Sequence, residues 1–509
     1  MTMKLHSSDS PSRKACEAAW HNGQASVVFS VEAADLLTPV SAYIRLTHLH
    51  AGAGQHSLLL ESVEGGISRG RYSVIALMPD LIWTCHNGCV SVEADGHTST
   101  AVERPLDSLR QLIQETQLTL QPGLPPMIAG LFGYLGYDMV RQMEHLPDAP
   151  PDDLNLPEAV LMRPGLFAVF DTVTDELILA APVRPAAGET CGTAWDRAHA
   201  LLARARNCLA GALPTQPPTP DVPPYREPVS TFTHDEFCDS VRKIQDYIAA
   251  GDAFQVVPSQ RFSTAFPLPS LDLYRALRRI NPAPFLFHLD FGGFSLVGSS
   301  PEILVRLRAG KMTVRPLAGT RPRGETTEED LQLEQDLLAD EKEIAEHLML
   351  IDLGRNDVGR VSQPGSVAVT ERFVIERFSH VMHISSNVEG TLRPELDALD
   401  ALVAAFPAGT LTGAPKIRAM EIIDEIERTR RATYAGCIGY FGAGGDMDTC
   451  IGLRMAVIKD GAIHVQAGCG VVADSHPESE YEETRHKARA VFRAAQTAME
   501  QAREEAGRG

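Results

Sequence analysis

Through the first half of the chain apolar and polar positions mostly alternate, the period of a half-buried strand. Arg71–Leu77 (RYSVIAL) and Leu81–Ala94 (LIWTCHNGCVSVEA) read as antiparallel strands, with His86-Asn87-Gly88 as a hairpin turn. Leu166–Ala181 (LFAVFDTVTDELILAA) reads as a second hairpin. Met127–Val140 is rich in glycine and aromatics and suits a strand approached closely by other backbones. Helical periods predict helices over Pro105–Thr116 and Ala194–Ala212, and a helix followed by the strand SLLLES within Pro39–Ser62. Residues 1–30 are polar and read as loosely ordered.

The proline-dense stretch Leu213–Pro228 reads as a linker. It divides an N-terminal regulatory domain, 31–212, from a catalytic domain, 229–509. Past it, Thr233 followed by Glu236 is a capping-box signature for a helix ending at Gly251. Phe254–Phe262 reads as a strand, and Cys437–Val472 as an antiparallel meander. Leu337–Asp357 reads as one helix whose Ile344, Leu348 and Ile351 face a core. Glu343 and Glu346 sit three apart beside that stripe, and Glu480 and Glu483 repeat the spacing on the closing helix. Such pairs are ordinarily a solvated helix face. The alternative is a hard divalent cation held by facing carboxylates, as Mg²⁺ is.

Charge narrows the functions. A formal net charge of −20 repels nucleic acid and anionic membranes, so an anionic ligand needs a locally positive site. No apolar run reaches the roughly 20 residues of a membrane helix, and the N-terminus lacks a signal-peptide apolar core. The 9 cysteines form no framework spacing, as expected of reduced thiols in a cytoplasm. No Walker sequence, dinucleotide fingerprint or G-x-S-x-G elbow is present.

Unusual residues gather in the second half. Gly319-Thr320-Arg321 and the turn Gly468-Cys469-Gly470 offer backbone N–H groups to an anion. Arg454, read on a strand among small and apolar neighbours, is either a buried ion-pair member or a carboxylate receptor. His383 in a strand-like run is ordinarily a satisfied core residue, with a general base as the alternative. Thr410 and Tyr434 bond a substrate or close a turn.

The long motifs PLAGTRPRG, AEHLMLIDLGRND, VMHISSNVEG, PAGTLTGAPK and ETRHKARAV resemble the chorismate-utilising enzymes, and within them the large subunits that make anthranilate. The resemblance runs from about Leu58 to Ala495. It implies an α+β fold of two stacked large antiparallel sheets with helices outside. It implies that Mg²⁺, held by Glu346 and Glu483 with Glu343 and Glu480 in support, binds the ring carboxylate of chorismate. Arg454 with the Gly468–Gly470 amides would take the enolpyruvyl carboxylate. Gly319 and Thr320 would flank the ring carboxylate, and Tyr434 and Thr410 would line the pocket. Glu302 matches the acid that protonates the departing hydroxyl, and His383 the base that removes the ring proton. Gln255 stands where the water-using isochorismate and salicylate synthases carry a lysine. Ala318 stands where aminodeoxychorismate synthase carries one. Both differences favour ammonia as nucleophile and anthranilate as product, over aminodeoxychorismate synthase or an enzyme stopping at 2-amino-2-deoxyisochorismate. A non-catalytic tryptophan-sensing subunit is the alternative from another class.

The same resemblance implies feedback inhibition by L-tryptophan bound at Leu60-Glu61-Ser62 and at Pro284-Phe285-Leu286, where tyrosine-methionine is common in relatives. Cys450 matches a position tied to that regulation, and reads equally as a small core residue. Nothing after Gly470 resembles an amidotransferase. A separate glutamine amidotransferase subunit would therefore supply ammonia, in a heterotetramer of two large and two small subunits.

Overall fold

The computed structural model describes residues 5–49, 56–64, 68–94, 96–186, 188–214, 222–378 and 381–506. Residues 1–4 of the expected loose N-terminus and 215–221 of the expected linker lie outside them.

Antiparallel strands dominate, and among the described residues they form one hydrogen-bonded network of 21 strands with a separate two-stranded pair. Alternation explains the layering. In the strand His56–Glu64, Leu58 and Leu59 point to opposite faces and enter different cores. Val74 and Ala76 of the long strand Ser68–His86 share the core of Leu58, whereas Ile75 and Leu77 share that of Leu59. The first core is filled mainly by strand residues from both halves of the chain, among them Phe132, Phe167, Phe287 and Val457. The second lies beneath helices, with Leu46, Leu202, Leu273 and Val491. This is the expected α+β architecture, with sheets stacked on each other and helices outside.

Strands from before and after residue 213 are interleaved. Leu60 pairs with Phe287 and Glu61 with Leu286, while Gly133 pairs with Gly439. Gly133 and Gly439 each also meet the strand on their other side closely: a Cβ on Gly133 would lie 1.9 Å from the Val160 carbonyl, and one on Gly439 2.1 Å from that of Asp448.

Local signals hold where chemistry is local. Helix Pro105–Thr116 has its expected bounds. Thr233 caps His234–Ala250 reciprocally with Glu236, and Gly251 ends it at φ 88°. Asn87 and Gly88, at φ 52° and 71°, make the hairpin turn. Elsewhere the fold departs from expectation. Residues 5–30 are ordered: Ser12 caps the helix Arg13–His21, and strand Ser26–Ala33 pairs with Glu176–Val183. That partner is too remote in sequence to be read from a polar segment. Phe254–Phe262 splits at Pro258 into Gln255–Val256 and Ser259–Ala265, which join different sheets. Leu337–Asp357 is two helices, Thr327–Ala339 and Glu341–Gly359, separated by Asp340, whose carboxylate caps the second. Its core stripe is offset: Ile351 is buried, yet Leu348 is 48% exposed. His347 takes the inward place instead, tied to Ser386 Oγ at 2.7 Å. No helix among the described residues is long and apolar enough to cross a membrane.

Candidate active site

One cavity of about 740 Å³ gathers nearly every candidate of the second half. Helix Glu341–Gly359 contributes Glu343, Glu346 and Leu350, and helix Pro477–Ala506 contributes Glu480 and Glu483. Strand Leu317–Pro322 supplies Ala318, Gly319 and Thr320, and strand Val381–Thr391 supplies His383. Gln255, Glu302, Thr410, Tyr434, Arg454, Gly468 and Gly470 come from turns and strand ends around the same space. Three glycines keep it open. A Cβ on Gly468 would lie 2.9 Å from the Tyr434 hydroxyl, one on Gly470 2.9 Å from Gln255 Nε2, and one on Gly319, at φ +66°, 3.2 Å from Glu343 Oε2.

Burial moves Glu302 and His383 in opposite directions. Burial pushes the Glu302 carboxyl up to about 8, partly offset by the Thr410 hydroxyl, which donates to Oε1 at 3.1 Å, and by the Leu317 N–H. At neutral pH this carboxyl keeps its proton. His383 moves the other way: burial lowers its pKa, opposed by a hydrogen bond to the Gly319 carbonyl. Nδ1 lies 2.8 Å from that carbonyl oxygen. A carbonyl only accepts, so Nδ1 carries the hydrogen and Nε2 keeps a free lone pair. Thr320 Oγ1, 3.1 Å from the same nitrogen, braces the ring.

The glutamates come in like-charged pairs. Burial first and Glu346 second raise the pKa of Glu343, and burial likewise raises that of Glu480. Each pair has a cation at hand: Arg321 Nη1 lies 3.4 Å from Glu343 Oε1, and Lys487 Nζ 2.7 Å from Glu483 Oε1. Gln255 Nε2 donates to Glu346 Oε1 at 3.1 Å. Among the described residues no three carboxylate, imidazole or thiol groups converge on one metal position. The donor set nevertheless fits a hard cation that takes one or two carboxylates and completes its shell with substrate and water.

Two expectations are corrected by the backbone. Arg454 lies on the turn between strands Met447–Ile451 and Met455–Lys459, not within a strand, at φ 51°. Such a conformation costs about 1–3 kcal/mol and is retained where the fold over-determines it. Among the described residues its guanidinium makes no ion pair or side-chain hydrogen bond, and it faces the cavity beside Tyr434 and Glu483. Cys469 does not line the cavity. The residue belongs to the buried cluster of Phe237, Val256 and Ile422, its thiol hydrogen-bonds the Glu480 carboxylate, and its N–H donates to the Pro258 carbonyl at 3.1 Å. Its neighbours Gly468 and Gly470 face the space instead because alternate residues of an extended chain point oppositely.

Sequence reasoning missed Lys487, which also donates to the Gly468 carbonyl at 2.9 Å, and the lining residues Gln466 and His486. The signal for Lys487 was its place four residues after Glu483 on one helix face.

A second cavity, of about 340 Å³, is lined by Leu60, Glu61, Ser62, Phe285, Leu286 and Cys450. Pro284, just before the strand Phe285–Phe291, is not in its wall. Strand pairing makes this pocket, setting Leu286 against Glu61. Arg278 grips the Glu61 carboxylate at 2.7 and 3.0 Å.

Residues 68–493 match the model of the chorismate binding enzyme family. Anthranilate synthase component 1 of Cereibacter sphaeroides is 53% identical over 487 residues, covering 95% of this chain and 97% of that protein. The component 1 of Pseudomonas putida is 50% identical over 467 residues, covering 91% and 93%. The crystal structure of anthranilate synthase component I from Streptococcus pneumoniae TIGR4 superposes with a TM-score of 0.73 at 36% identity, covering 91% of this chain and 99% of that one. An isochorismate synthase from Escherichia coli shares the fold at 18% identity and a TM-score of 0.68. Matched by that family model and by these relatives over nearly its whole length, the chain belongs to the chorismate binding enzymes, among the anthranilate synthase component 1 proteins.

Proposed function

We propose that this chain converts chorismate and ammonia to anthranilate and pyruvate, the first committed chemistry of tryptophan biosynthesis. The observation that carries the reading is the pairing, in one cavity, of a carboxyl that holds its proton to about 8 with an imidazole whose Nε2 is free. Glu346 and Glu483, supported by Glu343 and Glu480, would hold Mg²⁺, which offsets the charge of the ring carboxylate. Arg454 and the Gly468 and Gly470 backbone receive the enolpyruvyl carboxylate, with Tyr434 beside them. Ammonia adds to the ring as the hydroxyl leaves, taking a proton from Glu302 and departing as water, and the new ammonium group gives up its extra proton, which restores the Glu302 carboxyl. His383 Nε2 then removes the ring proton. The enolpyruvyl carbon–oxygen bond breaks with its electron pair leaving on oxygen, the ring becomes aromatic, and the departing pyruvate enolate takes up one proton at its methylene carbon to become pyruvate.

Gln255 and Ala318 support ammonia as the nucleophile. An amide does not act as a base toward water, and a methyl group forms no covalent adduct. Ammonia would come from a glutamine amidotransferase subunit of a cytoplasmic hetero-oligomer, and L-tryptophan would inhibit from the second cavity. His383→Ala should abolish anthranilate release with ammonium salts and Mg²⁺ while chorismate still binds. Full anthranilate release by that variant contradicts the assignment.

A further inference from the structure

Beneath the cavity floor lies an ion pair that the proposed chemistry does not use. Arg431 and Glu427 are both buried. Arg431 Nε donates to both carboxylate oxygens at 3.1 Å, and Nη2 donates to Oε1 at 2.6 Å. Two further donors go to backbone carbonyls, Leu411 O from Nη1 and Val257 O from Nη2, each at 2.6 Å. Both of those residues line the active cavity. The guanidinium also lies over the Tyr434 ring, 5.6 Å from its centroid, with the Tyr137 ring at 4.9 Å. Glu427 Oε1 in turn accepts from Ser259 N–H and Oγ at 2.8 and 2.7 Å. Ser259 Oγ accepts from Gln466, another cavity residue, at 2.8 Å.

A buried ion pair is by itself weak evidence for more than packing. Here the acceptors are specific. A planar fork is satisfied by one carboxylate and two cavity-wall carbonyls, and only arginine offers that donor pattern. Its charge sits under a phenol ring whose hydroxyl faces the substrate space beside Gly468. A cation on the ring face makes that hydroxyl a stronger donor to a carboxylate.

We propose that Arg431, held by Glu427, is a positioning residue that fixes Tyr434 and the Val257 and Leu411 walls in one frame, and so sets how tightly the cavity grips the substrate's enolpyruvyl carboxylate. The proposal rests on the chorismate reading of this cavity. It separates Arg431 from residues that touch substrate, because it acts only through Tyr434 and the two carbonyls.

The test compares Arg431→Lys, Tyr434→Phe and their combination for equilibrium chorismate binding, chorismate KM, kcat with ammonium, and thermal unfolding. Lysine keeps the charge and loses the fork. The expected result is a rise of about tenfold in chorismate Kd and KM for Arg431→Lys with kcat little changed, the signature of lost uniform binding. Tyr434→Phe should then add little in the Arg431→Lys background, since both changes remove one coupled interaction. Arg431→Met with Glu427→Leu removes both charges at similar volume and should give the same weakened binding in a folded protein. Unchanged Kd in a folded variant, or effects of the two single changes that simply multiply, would overturn the proposal. Loss of a native unfolding transition in both Arg431 variants would also overturn it, by showing a purely structural pair. A wild-type protein that binds chorismate without forming anthranilate would refute the proposed function and leave this binding comparison intact.

Discussion

At the scale of single residues, the proposed chemistry depends on two groups moved in opposite directions by the same cause. Burial disfavours charge, so it raises the carboxyl of Glu302 and lowers the imidazole of His383. As the proposed acid, Glu302 works only while protonated, and its protonated fraction falls as pH rises through about 8, so kcat should fall on that alkaline side. As the proposed base, His383 works only while neutral, so the acid limb should lie below the ordinary imidazole value. A pH–rate profile of kcat at saturating chorismate and ammonia, the latter corrected for its own ionisation, checks both limbs. Glu302→Gln, which keeps the shape and loses the proton, should lower kcat by about 10²–10⁴-fold and erase the alkaline limb while KM stays within a few-fold. An alkaline limb surviving in that variant would assign it to another group.

At the scale of elements, the carboxylate helix Glu341–Gly359 shows what a period does and does not disclose. Its glutamates were legible as a pair because three-residue spacing fixes a common face wherever the helix sits. Its inward face was not legible, because Leu348 and His347 differ by only one helical step. The choice between them is made by Ser386 on a strand that the helix sequence does not mention. The consequence is measurable by denaturant unfolding. Ile351→Ala should cost about 2–5 kcal/mol, as a buried truncation does, whereas Leu348→Ala should stay within about 0.5 kcal/mol. Equal costs would restore the simple stripe. Arg454 illustrates the same limit, since its apolar neighbours suggested a strand and only the folded turn shows φ 51°. The glycines are a further element-scale prediction. Gly319→Ala places a methyl in a left-handed conformation, costing about 1–2 kcal/mol, and 3.2 Å from Glu343 Oε2. It should raise the Mg²⁺ concentration needed for half-maximal activity. An unchanged requirement would remove Gly319 from the metal side of the cavity.

At the scale of the whole molecule, an acidic chain of net charge −20 binds a doubly negative ring only by concentrating positive charge. Arg454 and Lys487 line the one cavity, Arg321 pairs with Glu343 beside it, and the cation proposed for the glutamates would add to them. The motifs disclosed the family and most of this cavity, while pairing across hundreds of residues, such as Leu286 with Glu61, was invisible to any local pattern. That pairing builds the second cavity on the sheets that carry the first. Cys450 in its wall precedes Ile451, whose N–H donates to the Glu302 carbonyl at 3.0 Å. If L-tryptophan binds there and disfavours chorismate, linkage requires chorismate to weaken tryptophan by the same factor. Calorimetric titration of each ligand in the presence of the other should return equal ratios. Leu60→Trp, which fills the pocket, should abolish inhibition and leave kcat unchanged, and persistent inhibition would place the effector elsewhere.

The most direct test of the central claim, one cavity performing both amination and elimination, is to incubate the purified chain with chorismate, Mg²⁺ and ammonium salts while following anthranilate fluorescence and pyruvate together. The account predicts equimolar anthranilate and pyruvate. An aminated ring accumulating without pyruvate, or isochorismate formed from water, would contradict it.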